Sequence, residues 1–105
     1  MPAGPALAAY TCHISVAGNG KTYAGYYSGE TTQPASSGVS NAGIEAQCLL
    51  RERGLYHDTI DGRWGPNSKA AAKEFQEEMN SIGAGLTEDG LVGPKTWPYL
   101  RIYAF

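Results

Sequence analysis

The chain is 105 residues long, 42% of them are apolar, and its formal net charge is −2. This length accommodates one domain with a modest core, and the apolar fraction is ordinary for a globular protein. The slightly acidic balance excludes the basic surface needed to bind nucleic acid or an anionic membrane. No apolar run approaches the length of a membrane span, so membrane insertion is not expected.

The first forty residues divide into three predicted segments. Residues 1–8 lack the charged start and long apolar run of a complete signal peptide. They are interpreted as the disordered start of a mature chain, or as the last residues before an Ala-x-Ala cleavage site. Residues 9–28 alternate apolar and polar residues before an Asn19-Gly20 pair, which predicts a β-hairpin. The polar, turn-rich residues 29–40 predict a linker over the surface.

Cys12 and Cys48 are the only two cysteines in the chain. A disulfide between them would indicate an exported protein and would stabilise it by roughly 4 kcal/mol through chain entropy. The alternative is two unrelated buried thiols in a cytosolic protein. The many tyrosines and glycines and the few charges favour the exported form. Nucleophilic chemistry by Cys12 with His13 is not expected, because neighbours in a strand point to opposite faces.

Three helices are predicted in the remaining sequence. The first spans 41–54, with a cap at Ser40 or Asn41, the second spans 66–79, and the short third spans 94–101. Apolar residues recur at helical spacing and form the predicted core: Ala46, Leu49, Leu50, Ala71, Ala72, Phe75, Met79, Trp97 and Leu100. The final residues 101–105 predict a short strand against the hairpin or an exposed end.

One corner motif occurs twice, as DGRWGPNS at 61–68 and as DGLVGPKT at 89–96. Glycine tolerates the positive φ of a tight turn, and proline suits the first position of a helix. The serine or threonine that follows can bond the free N–H groups of the first helical turn. Each copy therefore predicts a sharp turn that runs into a helix, and the pair predicts an internal duplication.

These motifs resemble the bacterial peptidoglycan-binding domain family over about residues 40–101. The resemblance is carried by AQ at 46–47, Leu50, GLY at 54–56, IDGRWGPNS at 60–68, Ala71, FQ at 75–76, DGLVGPKTW at 89–97 and Leu100. Gly43 departs from the aliphatic residue usual in the family. The hairpin and its two cysteines resemble an amino-terminal extension of some secreted actinobacterial members.

The family resemblance implies both a fold and a function. The fold is mainly α: a three-helix module with an internal pseudo-repeat at residues 41–105, here with the hairpin joined to it through Cys12 and Cys48. The function is non-covalent binding of cell-wall peptidoglycan without catalysis. Family members are usually exported and attached to wall hydrolases or beside other domains, so a secreted, wall-associated location is expected.

The first corner is the predicted ligand site. A polar ledge at the start of the second helix would offer free N–H groups to a stem-peptide carboxylate, and an aromatic ring beside it would suit a sugar face. The predicted ligand-binding residues are Tyr56, Asp61, Gly62, Trp64, Gly65, Asn67 and Ser68. The residues themselves favour a structural role for Asp61, which can bond its own loop, and for Trp64, which can pack in the core, with ligand contact as the alternative.

No metal site, cofactor or catalytic centre is expected from the sequence. His57, Asp58 and Asp61 are too few for zinc and lack the closing glutamate of a calcium loop. Four glutamates occupy helix positions that suit solvated charges rather than the paired carboxylates of a glycosidase. They are Glu45, Glu52, Glu74 and Glu77.

Two other functions stay open at the level of sequence. The tyrosine-rich hairpin or the C-terminal tail could bind a protein partner or a second copy of the chain, since a fold does not fix a function. The chain could also be the targeting part of a wall hydrolase. The sequence does not distinguish the glycan from the stem peptide as the ligand.

Overall fold

The structure, a computed structural model, describes residues 9–102, so the predictions for residues 1–8 and 103–105 lie outside it. In the described range the chain forms two strands, β1 (Ser15–Val16) and β2 (Thr22–Tyr23), and three helices, α1 (Asn41–Glu52), α2 (Pro66–Asn80) and α3 (Trp97–Arg101). The predicted mainly α fold with three helices and an amino-terminal hairpin is confirmed.

The helix boundaries differ from the predicted ones by one to three residues. Helix α1 ends at Glu52, and Gly54 then takes a positive φ of 78° that turns the chain back. Helix α3 begins at Trp97 rather than at 94, because the N–H groups of Thr96 and Trp97 both bond to the carbonyl of Gly93 and form a tight turn there. The proline at 94 therefore starts a turn and not a regular helix.

The hairpin is shorter than predicted. Its strands pair antiparallel over two residues each, with Ser15 opposite Tyr23 and Val16 opposite Thr22. Gly20 in the connecting turn has a φ of 82°. Ile102 forms an antiparallel bridge with Lys21, so the first residue after α3 lies against the hairpin, as predicted for the tail.

The predicted disulfide joins Cys12 to Cys48, with 5.6 Å between their Cα atoms. It attaches the amino-terminal segment to the middle of α1. A hydrogen bond from the N–H of Tyr10 to the carbonyl of Ile60 adds a second attachment at 2.9 Å. A hairpin this small is not stable alone, so these links to the helices are what hold it.

Helix α1 is buried on all sides from Ala42 to Leu50, not only along the predicted apolar face. The other helices cover one side, and the amino-terminal segment covers another: Ala24 is fully buried in the same core cluster as Leu50. The core is therefore shared between the helices and the amino-terminal segment. This explains how polar residues of α1 come to lie inside the protein.

The prediction that Glu45 is a solvated charge is wrong. Its carboxylate lies 2.6 Å from the Arg101 guanidinium, and both side chains are 0% exposed. The same carboxylate accepts backbone N–H groups from Ala24, Tyr26 and Tyr27 at 2.8, 3.0 and 3.2 Å. A buried charge requires an opposite charge and hydrogen bonds, and Glu45 has both.

Arg101 is satisfied by the amino-terminal segment as well. It donates to the carbonyl oxygens of Thr22, Tyr27 and Gly29, and its guanidinium lies 4.4 Å from the centre of the Tyr23 ring. The ion pair therefore connects α1, α3 and residues 22–29. Loss of the contact from α1, from α3 or from residues 22–29 would leave Glu45 or Arg101 buried without some of its bonding partners.

Tyr27 holds the segment that follows it. Its hydroxyl oxygen accepts the N–H groups of Thr31 and Thr32 at 3.0 and 2.7 Å, and its ring packs 5.2 Å from that of Trp97. Burial raises the pKa of Tyr27, but the hydrogen bonds from Thr31 and Thr32 favour the phenolate more strongly and lower the pKa to about 8.

We predict that Glu45→Ala lowers the free energy of unfolding by about 3–5 kcal/mol, because it leaves the Arg101 charge buried without its counter-ion. Urea unfolding followed by circular dichroism measures this loss. The control is Glu52→Ala, which removes an exposed carboxylate of the same helix and should change stability by less than about 0.5 kcal/mol. Equal losses in the two variants would contradict the role of the ion pair.

We also predict that Tyr27 makes stability depend on pH. Its folded pKa is depressed below the usual value of 10.0, so its contribution is fully present above pH 10 and is lost as the pH falls through about 8. The stability of the parent relative to Tyr27→Phe should therefore rise across this window. Near-ultraviolet absorbance should show one tyrosine ionising early in the parent only. A parallel pH dependence in both proteins would refute the prediction.

Candidate functional site

The side-chain amide of Gln47 fixes the shape of the first corner. Its oxygen accepts the N–H groups of Asp61 and Gly62 at 3.1 and 2.8 Å. Its nitrogen donates to the Asp61 carboxylate, the Arg63 carbonyl and the Ser68 hydroxyl at 3.0, 2.9 and 2.9 Å. Gln47 is fully buried. One amide therefore joins the turn to the first residues of α2.

Gln76 does the same at the second corner. Its oxygen accepts the N–H of Gly90 at 2.9 Å. Its nitrogen donates to the Asp89 carboxylate, the Leu91 carbonyl and the Thr96 hydroxyl at 3.2, 3.0 and 3.2 Å. The internal duplication is thus a repeated hydrogen-bond network as well as a repeated sequence.

The role of the two glutamines was not predicted from the sequence. Each lies on the helix that precedes its corner, 14 residues before Asp61 for Gln47 and 13 residues before Asp89 for Gln76. The signal was present, since AQ at 46–47 and FQ at 75–76 were both part of the family resemblance. A glutamine within an apolar helical stripe, repeated before each Asp-Gly, indicates a buried amide with a defined partner.

The two corner glycines are required by close packing. Gly62 and Gly90 have φ values of 75° and 74°. A Cβ atom at Gly90 would lie 2.6 Å from the Lys69 carbonyl oxygen. A Cβ atom at Gly43 would lie 2.4 Å from the Gly62 carbonyl oxygen, so the family departure at Gly43 lets α1 approach the first corner.

Four of the seven predicted ligand residues are buried. The Trp64 side chain is 2% exposed and donates its indole N–H to the Gly90 carbonyl at 2.8 Å, which links the two corners. Its ring is packed in the core and offers no face to a sugar. Tyr56, Gly62 and Ser68 are also buried, and the Tyr56 hydroxyl donates to the carbonyl of Thr59. These residues shape the site from beneath.

The first corner opens onto a shallow depression of about 260 Å³, which we term the first hollow. Five predicted residues line it: Tyr56, Asp61, Gly65, Asn67 and Ser68. Asp58 and Arg63 also line it but were not predicted as ligand residues. Asp58 lies just before the corner motif and Arg63 within it, and these positions could have suggested them, because exposed charges near a stiff turn are well placed to contact a ligand.

A larger depression, of about 390 Å³, adjoins the first hollow and shares Tyr56, Asp58 and Asn67 with it. It adds His57 and Glu74 to the lining. We term the two depressions together the groove. They meet at a hydrogen bond of 2.6 Å from the Asn67 amide to the Asp58 carboxylate.

Asp58 is the best-defined charge of the groove. The hydrogen bond from Asn67 and one from the N–H of Thr59 favour the carboxylate and hold the pKa of Asp58 below its usual value. The groove therefore presents a fixed anion beside an amide. The Asp58 carboxylate can accept hydrogen bonds from sugar hydroxyls and peptide N–H groups, and it repels anions.

Within residues 9–102, no group of three or more His, Cys, Asp or Glu side chains is placed to hold a metal ion. His57, Asp58 and Asp61, considered from the sequence, do not form such a group. None of the helices described has the length and apolarity needed to cross a membrane.

Comparisons with known proteins agree with the fold. The family described as "Putative peptidoglycan binding domain" matches residues 39–100, more than half of the chain. A crystal structure of a peptidoglycan-binding protein from Clostridioides difficile, in complex with glutamine hydroxamate, is similar, with a TM-score of 0.64 and 25% identity. The similarity covers 84% of this chain and 55% of that one, so the chain spans about half of that protein. No curated protein matches the chain.

We predict that Gln47→Glu, which keeps the shape of the side chain, lowers the free energy of unfolding by about 2–3 kcal/mol. The carboxylate cannot donate to Asp61, Arg63 or Ser68, so buried acceptors lose their partner. Gln33→Glu, at an exposed position, serves as the control and should have little effect. Thermal unfolding measures both, and a stable Gln47→Glu variant at neutral pH would contradict the proposed network.

Proposed function

Because the chain belongs to the peptidoglycan-binding domain family, as the match over residues 39–100 shows, we propose that the groove at the first corner is the surface that binds the cell wall. The family function is non-catalytic binding of peptidoglycan. The proposal concerns where on this chain the binding takes place. The observation that carries it is that five of the seven predicted residues line one hollow.

The groove offers hydrogen-bonding groups suited to this ligand. Asn67, Asp58 and Arg63 are exposed there and provide an amide, a carboxylate and a guanidinium. Glycan hydroxyls both donate and accept hydrogen bonds, and stem peptides present amides and carboxylates. Each of these can be bonded by one of the three side chains. We therefore assign ligand contact to these exposed residues.

The buried residues of the predicted site have an indirect role. Ser68 and Gly62 are held by the Gln47 amide, and Trp64 is bonded to the second corner. They fix the backbone beneath the groove and keep Gly65 and Asn67 at the start of α2. A rigid surface binds a ligand with a smaller loss of conformational entropy.

We further propose that the protein acts outside the cytosol. The disulfide between Cys12 and Cys48 is the supporting observation, since disulfides persist in oxidising compartments. A single shallow groove binds weakly, but the wall repeats its ligand many times, so attachment of a longer protein or of several copies becomes strong. The similarity covers only 55% of the Clostridioides difficile protein. This agrees with a role of the present chain as the wall-targeting part of a larger protein.

The alternative that the hairpin binds a protein partner has less support. Tyr23, Tyr26 and Tyr27 are half-buried against the rest of the chain. The hydroxyls of Tyr26 and Tyr27 are used in bonds to Thr11 and to the segment after the hairpin. The tyrosines that suggested an interaction surface thus serve the fold.

We predict that Asn67→Ala combined with Arg63→Ala reduces co-sedimentation with insoluble peptidoglycan by roughly fivefold or more, because both side chains line the groove and neither packs in the core. Circular dichroism should show an unchanged fold, since the Arg63 carbonyl that Gln47 bonds is retained.

The matched control is Lys73→Ala, an exposed residue of α2 away from the groove, which should sediment like the parent. If the double variant sediments as well as the parent, binding takes place elsewhere on the module. If the parent itself stays in the supernatant, wall binding by this chain is refuted.

A further inference from the structure

The second corner also opens onto a depression, of about 330 Å³, which we term the second hollow. It lies at the positions that match the first hollow in the internal repeat. Asp89 and Gly93 correspond to Asp61 and Gly65, and all four line their respective hollows. The repeated Gln76 network therefore builds a second site of similar backbone shape.

The side chains that line the second hollow differ in chemistry from those of the first. Lys95 replaces Asn67, and Leu91 replaces Arg63. Gln33, from the segment before α1, forms an additional wall. The second hollow thus combines one cation and one anion with amide, hydroxyl and apolar side chains.

Some polar groups of the second hollow are not used by the fold. Within the described part of the chain, the Lys95 ammonium and the Gln33 side-chain amide make no hydrogen bond or ion pair. The Asp89 carboxylate uses one oxygen, Oδ1, for Gln76 and for the N–H of Leu91. Its other oxygen, Oδ2, bonds to none of residues 9–102. Asp89 and Lys95 line the same hollow without pairing with each other.

We propose that the second hollow binds an α-amino acid group, in which an ammonium and a carboxylate share one carbon. The Asp89 Oδ2 atom accepts the ammonium, and Lys95 donates to the carboxylate. Leu91 contacts the adjoining methylene groups, and the Gln33 amide bonds whichever polar atom faces it. A lone anion is disfavoured by Asp89 and a lone cation by Lys95, so the pair selects a zwitterion.

The proposed function supplies the source of this group, and the inference rests on it to that extent. A diaminopimelate residue in a stem peptide carries an α-amino acid group at the free end of its side chain. A lysine residue in the same place carries the ammonium alone. The second hollow would therefore distinguish two chemistries of stem peptide by one carboxylate.

The test is a titration followed by amide NMR, with two tripeptides that differ in that carboxylate: L-Ala-γ-D-Glu-meso-diaminopimelate and L-Ala-γ-D-Glu-L-Lys. We expect shifts around residues 87–96 and Gln33, and roughly twofold to fivefold weaker binding of the lysine peptide at low salt, as for one exposed ion pair. Comparable binding of free glycine would assign the site to free amino acids rather than to stem peptides.

Lys95→Gln should abolish the preference between the two tripeptides, and the matched control Lys73→Gln, with the same change of charge away from the hollow, should keep it. Equal affinities for the parent, or shifts confined to the groove at the first corner, would overturn the proposal. Sedimentation with whole peptidoglycan separates this proposal from the proposed function. If the parent sediments but shows no preference between the tripeptides, the proposed role of the second hollow is wrong and wall binding still stands.

Discussion

The buried side-chain amide of a glutamine is the interaction on which this structure depends. An amide both accepts and donates, so Gln47 can satisfy two backbone N–H groups on one side and three oxygens on the other. A leucine would leave both N–H groups unbonded and would remove one hydrogen bond from each of the three oxygens, and a glutamate would satisfy only the N–H groups. Gln76 repeats the arrangement at the second corner. The turns keep their shape because a group inside the protein fixes them, and the hollows outside keep their shape in consequence.

The amino-terminal segment is joined to the helices by charge as much as by covalent linkage. Glu45 and Arg101 come from α1 and α3, yet most of their remaining hydrogen bonds go to residues 22–29. A buried ion pair of this kind is tolerated only where every lone pair and proton finds a partner. The disulfide from Cys12 to Cys48 lowers the entropic cost of that arrangement, because it keeps the segment close to α1. The disulfide and the ion pair thus both hold the amino-terminal segment against the helices.

The elements that depend on local sequence were predictable, and those that depend on distant residues were not. The corner motifs, the three helices and the core positions of Phe75 and Trp97 follow from spacing and turn chemistry, and the structure bears them out. The burial of Glu45 could not be predicted from α1 alone, since the residues that cover it lie 18 to 21 positions earlier. Five of the seven predicted site residues line one hollow at the first corner, but Asp58 and Arg63, which line it as well, were not predicted. Trp64 was the clearest difficulty, because a tryptophan in a turn suits both packing and ligand contact, and only its partner at Gly90 decides between them.

The construction of the corners separates folding from binding. At each corner the groups bonded to glutamine are backbone atoms, one carboxylate oxygen and one hydroxyl. The side chains at 63 and 67, and those at 91 and 95, take no part in these networks and line the hollows instead. They can therefore change without loss of the turn, whereas the residues beneath them cannot. In this chain they are Arg63 and Asn67 at one corner and Leu91 and Lys95 at the other, so a single duplicated scaffold presents two surfaces on which the cation stands at a different position.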